Sequence, residues 1–184
     1  MPPPGVKTVR DLIYWQYSEL LSQSEGSEKS DPGFSIDTFE KLRGGEMSWV
    51  GSMGIFLMEN EREDECVYCG STTEIIWDQL IPKNRGGLDM EDNTVQACKS
   101  CSSSKGDRGI YEWFGIEEKE ELPLFMEGKY LKLLFDLHDK YNTLDTDSDS
   151  LKRLCDICEV GYLCDETKLT VLCLESVLTT KWTW

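Results

Sequence analysis

Cys66-Val-Tyr-Cys69 opens the stretch that decides the fold. It runs through Trp77-Asp78-Gln79-Leu80-Ile81-Pro82-Lys83-Asn84-Arg85-Gly86-Gly87 and Asp92-Asn93-Thr94-Val95-Gln96-Ala97. It closes on Cys98-Lys-Ser-Cys101, followed by Ser102-Ser103-Ser104-Lys105-Gly106. A short loop with two thiolates sets two ligands at adjacent corners of a tetrahedron, and a second such loop completes it. The competing reading is four unrelated buried cysteines. The doubled Cys-x2-Cys spacing favours zinc held by Cys66, Cys69, Cys98 and Cys101. A site closed by four cysteines leaves no position for substrate, so this zinc is structural. Its binding is coupled to folding and is typically worth ~10–16 kcal/mol.

Between the cysteine pairs, Glu74–Asp78 reads as a strand and Asn93–Ala97 as a second one. A helix is expected from about Ser102 to Phe114, with Gly106 and Gly109 interrupting its pattern. Strand, loop, strand, helix is the order of a ββα-metal unit.

Taken together, residues 66–108 resemble the zinc-containing branch of the HNH endonuclease family. That branch reads Cys-x2-Cys, Asp-His-x-x-Pro with a following Gly-Gly, then Asn a few residues before Cys-x2-Cys-Asn-x-x-Lys-Gly. The resemblance implies metal-dependent phosphodiester hydrolysis on DNA. It makes Asp78 the metal carboxylate and Asn93 the brace of the loop. The general-base slot holds Gln79, and the second metal slot holds Ser102. Zinc at the cysteines and Mg2+ or another divalent ion at Asp78 are the implied metals.

Two slots depart from the pattern. A carboxamide orients water but has no useful basicity, and losing a general base costs ~10²–10⁴ in rate. A serine hydroxyl is a weaker ligand for a hard cation than an amide carbonyl. Three accounts fit: a family member whose nuclease has decayed, a chain carrying introduced inactivating substitutions, or a hydrolase that positions water with Gln79 and relies on the metal ion. The one histidine, His138, is expected half-exposed on a helix, where it could serve as base only if that helix folded over the loop. Lys83, Arg85, Lys105 and Arg108 are expected near a phosphate-binding face, with ordinary solvated charge as the alternative. Gly86-Gly87 reads as a tight turn rather than a phosphate cradle.

Outward from this stretch, Thr8 and Asp11 read as a capping box at the start of a helix over residues 8–22. A second helical stretch is expected over residues 34–58, a strong helix over residues 127–141, an acidic linker at Asp145–Ser150 and a β-like run at Lys168–Leu174. Cys155, Cys158, Cys164 and Cys173 form a second quartet, read as a second structural zinc, with four buried or free cysteines as the alternative. Tyr162, Leu163, Leu169, Val171, Leu172 and Leu174 would pack around it, and Trp182 and Trp184 read as a packing tail. The expected fold is α+β: a zinc-stapled ββα-metal unit with flanking helices and a C-terminal four-cysteine zinc knuckle. The expected divisions are an N-terminal helical region (1–62), the HNH-like unit (63–115), a helical extension (116–144) and the knuckle segment (151–184).

Eight cysteines and a formal charge of −16 bound the function. Clustered cysteines suit a reducing compartment as metal ligands. No apolar run reaches the ~18–20 residues of a membrane span, and the start lacks the order of a signal peptide. The expectation is a soluble cytoplasmic protein with no membrane partner. Such acidity opposes non-specific polyanion binding, but residues 78–110 carry five basic and five acidic side chains and are locally neutral. DNA is the expected partner, with a basic protein partner an alternative. The competing function is a nuclease-dead, zinc-stabilised module that binds nucleic acid or protein.

Overall fold

The computed structural model describes residues 2–25, 31–115, 121–153, 155–158, 160–164 and 170–179. Helix α1 (Val9–Ser24) begins at the expected capping box: Asp11 N–H donates to Thr8 Oγ1, and the Asp11 carboxylate accepts from Thr8 N–H. The single helical stretch expected over residues 34–58 is corrected to two helices, α2 (Pro32–Gly44) and α3 (Trp49–Asn60). Gly45 ends the first in the left-handed region at φ +77°, a conformation with no steric cost for glycine. Ser48 then caps the second by accepting from Gly51 N–H.

Strands β1 (Ile75–Gln79) and β2 (Thr94–Cys98) pair antiparallel, with Asp78 opposite Val95 and Gln79 opposite Thr94. Each strand lies one residue later than its pattern suggested. The helix expected over residues 102–114 is corrected to α4 (Lys99–Lys105) and α5 (Ile110–Phe114), separated by residues 106–109. Helix α4 starts three residues early because Cys98 caps it, its Sγ accepting from Cys101 N–H. The ββα order stands.

Helix α6 (Leu124–Lys140) is the spine. It packs on α1, on α3 and on α8 (Leu172–Thr179). Tyr17 stands edge-on to Trp49 and Phe56, and Trp49 stacks on Phe135 at 4.8 Å. The ββα unit joins α6 through polar ties inside this core. Lys129 Nζ donates to Thr94 O at 2.7 Å, and Tyr111 Oη donates to Glu127 Oε1 at 3.1 Å. Tyr130 Oη donates to Glu175 Oε1 at 2.7 Å.

Three further expectations are corrected. The acidic linker at Asp145–Ser150 is pinned: Leu144 O and Thr146 O accept from Arg10 and Val9 N–H, and Asp147 caps α7 (Ser148–Lys152). The β-like run expected over Lys168–Leu174 includes residues outside the described set, and Leu172–Thr179 is helical with Leu172 and Leu174 buried. Thr170 and Val171 lie just before this helix, in a turn rather than a strand. His138 is buried rather than half-exposed. Leu169, Trp182 and Trp184 lie outside the described residues. No helix among the described residues is long and apolar enough to cross a membrane.

Candidate active cleft and zinc-ligand cluster

The Cys66–Cys69 loop is hung on β2. Val67 N–H donates to Gln96 O at 2.9 Å, and Cys66 N–H donates to Ser71 O at 2.8 Å. The second pair straddles the β2–α4 junction. These two placements bring the sulfurs of Cys66, Cys69, Cys98 and Cys101 within 4.8 Å of one another. Cys69 Sγ and Cys98 Sγ are 3.8 Å apart. Four thiolates ~2.3 Å from a central zinc stand about 3.8 Å apart in a tetrahedron, so this donor set fits zinc. The Cys101 N–H draws the Cys98 thiol down to about 7, while burial and neighbouring sulfurs push Cys101 up. Four thiolates this close need a cation to coexist. Among the described residues no other set of three or more Cys, His, Asp or Glu ligands is gathered this closely. The sulfurs of Cys155, Cys158, Cys164 and Cys173 are therefore not drawn together as the first set is.

Asp78, Gln79 and Ser102 meet in an open cleft of about 520 Å³ between the end of β1 and α4. Pro82, Lys83, Asn84 and Lys105 also line it. The Asp78 carboxylate is fully engaged. Its Oδ1 accepts from Ser102 Oγ at 2.8 Å, and its Oδ2 accepts from Tyr68 Oη at 2.8 Å. Lys105 Nζ lies 3.3 Å from the same Oδ2 and donates to Gln79 O at 2.6 Å. The Lys105 side chain is 1% exposed. The Gln79 side chain is half-buried at the cleft, and the hydrogen bonds of Asp78 run to Ser102 and Tyr68 rather than to its carboxamide.

This donor set does not fit a tightly held divalent ion. A hard cation needs several oxygen ligands with net negative charge. Here the Asp78 carboxylate faces an ammonium at 3.3 Å, Ser102, Gln79 and Asn84 are neutral, and the other carboxylate on the lining, Asp107, is exposed. His138 adds nothing to the cleft. Its Nε2–H donates to Leu174 O at 3.1 Å, which leaves Nδ1 to accept from Thr143 Oγ1 at 2.8 Å. Burial holds this imidazole down to about 4.

Asn93 is fully buried at the other end of the loop. Its Oδ1 accepts from Ile81 N–H, and its Nδ2 donates to Ile81 O and Leu88 O, all at 2.9 Å. It clamps residues 81–88 into one conformation. The glycine pair completes the clamp as a turn: Gly86 sits at φ +88°, and a Cβ on Gly87 would lie 1.8 Å from Ile81 O.

The four basic residues expected near phosphate have different surroundings. Lys83 is at the surface, paired with Asp89 at 3.0 Å and 62% exposed. Arg85 is mostly buried against Glu112. Lys105 is turned inward as described. Arg108 donates to the carbonyls of Lys105 and Ser104. The sequence reading did not single out Tyr68 or Glu112. Tyr68 lies inside the first Cys-x2-Cys loop, so any residue there is carried to the sheet. Glu112 also accepts from Gly109 N–H, a local tie at the start of α5, and from Tyr162 Oη, a long-range tie with no spacing to reveal it.

No curated protein and no solved structure matches the chain. Residues 66–108 match the model of the family described as HNH endonuclease, and over these residues the chain carries an HNH domain.

Proposed function

We propose that the chain is a nuclease-type HNH module that holds a nucleic-acid backbone at the Gln79 cleft without hydrolysing it through a divalent ion at Asp78. The observation that carries this reading is the engagement of the Asp78 carboxylate by Ser102, Tyr68 and Lys105. Beside it, Gln79 can orient water but cannot take its proton. Lys83 is the cation best placed to meet a phosphate, since an exposed pair such as Lys83–Asp89 is worth only ~0–1 kcal/mol and exchanges readily. With so few cations on offer, binding would be weak and its salt dependence shallow. DNA is the expected nucleic acid.

A second reading, hydrolysis of the phosphodiester, is favoured by the family match over residues 66–108. One experiment separates them: plasmid binding and cleavage with Mg2+, Mn2+ or Ni2+ by the wild type, Asp78→Ala and Gln79→His. The expected result is binding without cleavage by the wild type. Cleavage by the wild type that Asp78→Ala abolishes would support the second reading. Cleavage by Gln79→His alone would mean that the missing base is the only deficit. No binding at low salt would sink both.

Zinc at Cys66, Cys69, Cys98 and Cys101 staples the module and takes no chemical part in it. We extend the zinc reading to Cys155, Cys158, Cys164 and Cys173: the first three lie in successive tight turns, with Cys158 N–H donating to Cys155 O, Gly161 N–H to Cys158 O and Cys164 N–H to Gly161 O, and Cys173 lies at the start of α8. Elemental analysis giving two zinc atoms per chain is expected; one atom would remove the C-terminal site.

A further inference from the structure

A second cavity, of about 680 Å³, shares Trp77 with the Gln79 cleft. It lies between residues 60–70, Thr94–Gln96 and the start of α6. The HNH reading gives it no role. Val67, Leu124 and Phe125 line it half-buried, Val95 lines it buried, and Trp77 is 69% exposed. Its loop edge is acidic: Glu61, Glu63 and Asp64 are exposed, Glu65 is half-buried, and Arg62 is the one cation among them. Lys129 also lines the cavity, but its ammonium is directed at Thr94 O.

The acidic loop is fixed to the sheet. Asp64, at φ +60°, donates its N–H to Gln96 Oε1 at 2.9 Å. Gln96 O is taken by Val67 N–H and Thr94 O by Lys129. These two β2 carbonyls therefore offer nothing to an added strand, and an occupant must bind through side chains. Phosphates entering here would meet four carboxylates, so a polyanion is disfavoured.

The geometry points to a docking groove for a basic peptide segment of a partner protein. One large apolar side chain of that segment packs against Phe125 and Trp77, and its Lys or Arg side chains face Glu61, Glu63 and Asp64. The aromatic contact supplies affinity, and the charges supply steering and selectivity. Because Trp77 borders both cavities, an occupied groove also covers one wall of the Gln79 cleft.

The test is fluorescence anisotropy on the full zinc-loaded chain with a labelled peptide of alternating Arg and Leu. Saturable binding is expected. The double variant Glu61→Lys/Glu63→Lys and, separately, Trp77→Ala each weaken it about thirtyfold, the size of one interface hot spot. These side chains are exposed, and circular dichroism checks that both variants keep the fold. Absence of binding, or binding that neither variant alters, overturns the proposal. A labelled single-stranded oligonucleotide that displaces the peptide and binds more tightly to the Glu61→Lys/Glu63→Lys variant overturns it in favour of nucleic acid.

Discussion

Lys105→Met removes the charge that faces Asp78 while keeping most of the side-chain stem. The buried ammonium gives up a 2.6 Å hydrogen bond to Gln79 O and a 3.3 Å contact to Asp78 Oδ2. Breaking a buried ion pair by deleting one partner costs ~3–5 kcal/mol. Two features place this pair at or below the low end. Asp78 keeps the hydroxyls of Tyr68 and Ser102. Burial also pushes the Lys105 ammonium below its ordinary lysine value, so the wild type carries a desolvation cost that the variant escapes. The expected loss is about 2–3 kcal/mol, read by urea denaturation of the zinc-saturated chain followed by tryptophan fluorescence. If Lys105 stands in for a cation, Mn2+ stabilises the variant and leaves the wild type unchanged. Saturation at a hundredfold over Kd is worth about 2.7 kcal/mol. A loss under about 0.5 kcal/mol, the scale of a neutral surface change, or equal Mn2+ stabilisation of both proteins, would refute the reasoning.

Asn93→Ala leaves the buried Ile81 N–H and C=O without partners at ~1–3 kcal/mol each. An equilibrium loss of about 2–6 kcal/mol is therefore expected, and a near-neutral result would deny the clamp. Stripping zinc with a chelator, or Cys69→Ser, is expected to unfold the ββα unit, seen as loss of amide protection over residues 66–105; unchanged protection would mean the sheet holds without metal. Two buried groups oppose each other in pH. His138 is held down to about 4, so its contribution is present above its unfolded value of ~6.5 and is lost as pH falls through about 4. Glu175 is pushed up to about 7 by burial, so its contribution is present below its unfolded value of ~4.3 and is lost as pH rises through about 7. Each amounts to roughly 3 kcal/mol by order of magnitude. Glu175→Gln should thus unmask a rise in stability between pH 4 and 6.5; a curve parallel to the wild type would show that Glu175 does not titrate there.

The cysteine spacing made the ββα unit legible because four ligands to one centre fix where two loops must meet, whatever lies between them. Asn93 was legible for a related reason: a clamp needs a side chain that both donates and accepts, at one place in the loop. The occupant of the Asp78 slot was not. Nothing in Ser-Ser-Ser-Lys-Gly tells whether Lys105 points to solvent or folds back along α4 onto Gln79 O. That choice depends on Tyr68, which arrives from a different loop. The helix break at Gly45 blurred in the sequence because apolar residues, Leu42 and Met47, flank it on both sides, and the break at Gly106 falls in the polar run Ser102–Gly109, which has no apolar spacing to mark a boundary. The tail misled through Thr170 and Val171, whose β preference is not realised because they form the turn into a helix that buries Leu172, Leu174 and Glu175. His138 carried no spacing signal at all, since its partners, Thr143 and Leu174 O, come from a turn and from a distant helix.

The most direct measurement is nicking of supercoiled plasmid by the zinc-saturated wild type in Mn2+, run beside a gel-shift of the same DNA. The Asp78–Lys105 pair and the absence of a base at Gln79 predict weak binding with a shallow salt dependence and intact plasmid. Nicking that requires Mn2+ and disappears in Asp78→Ala would contradict this and make Asp78 a working metal ligand.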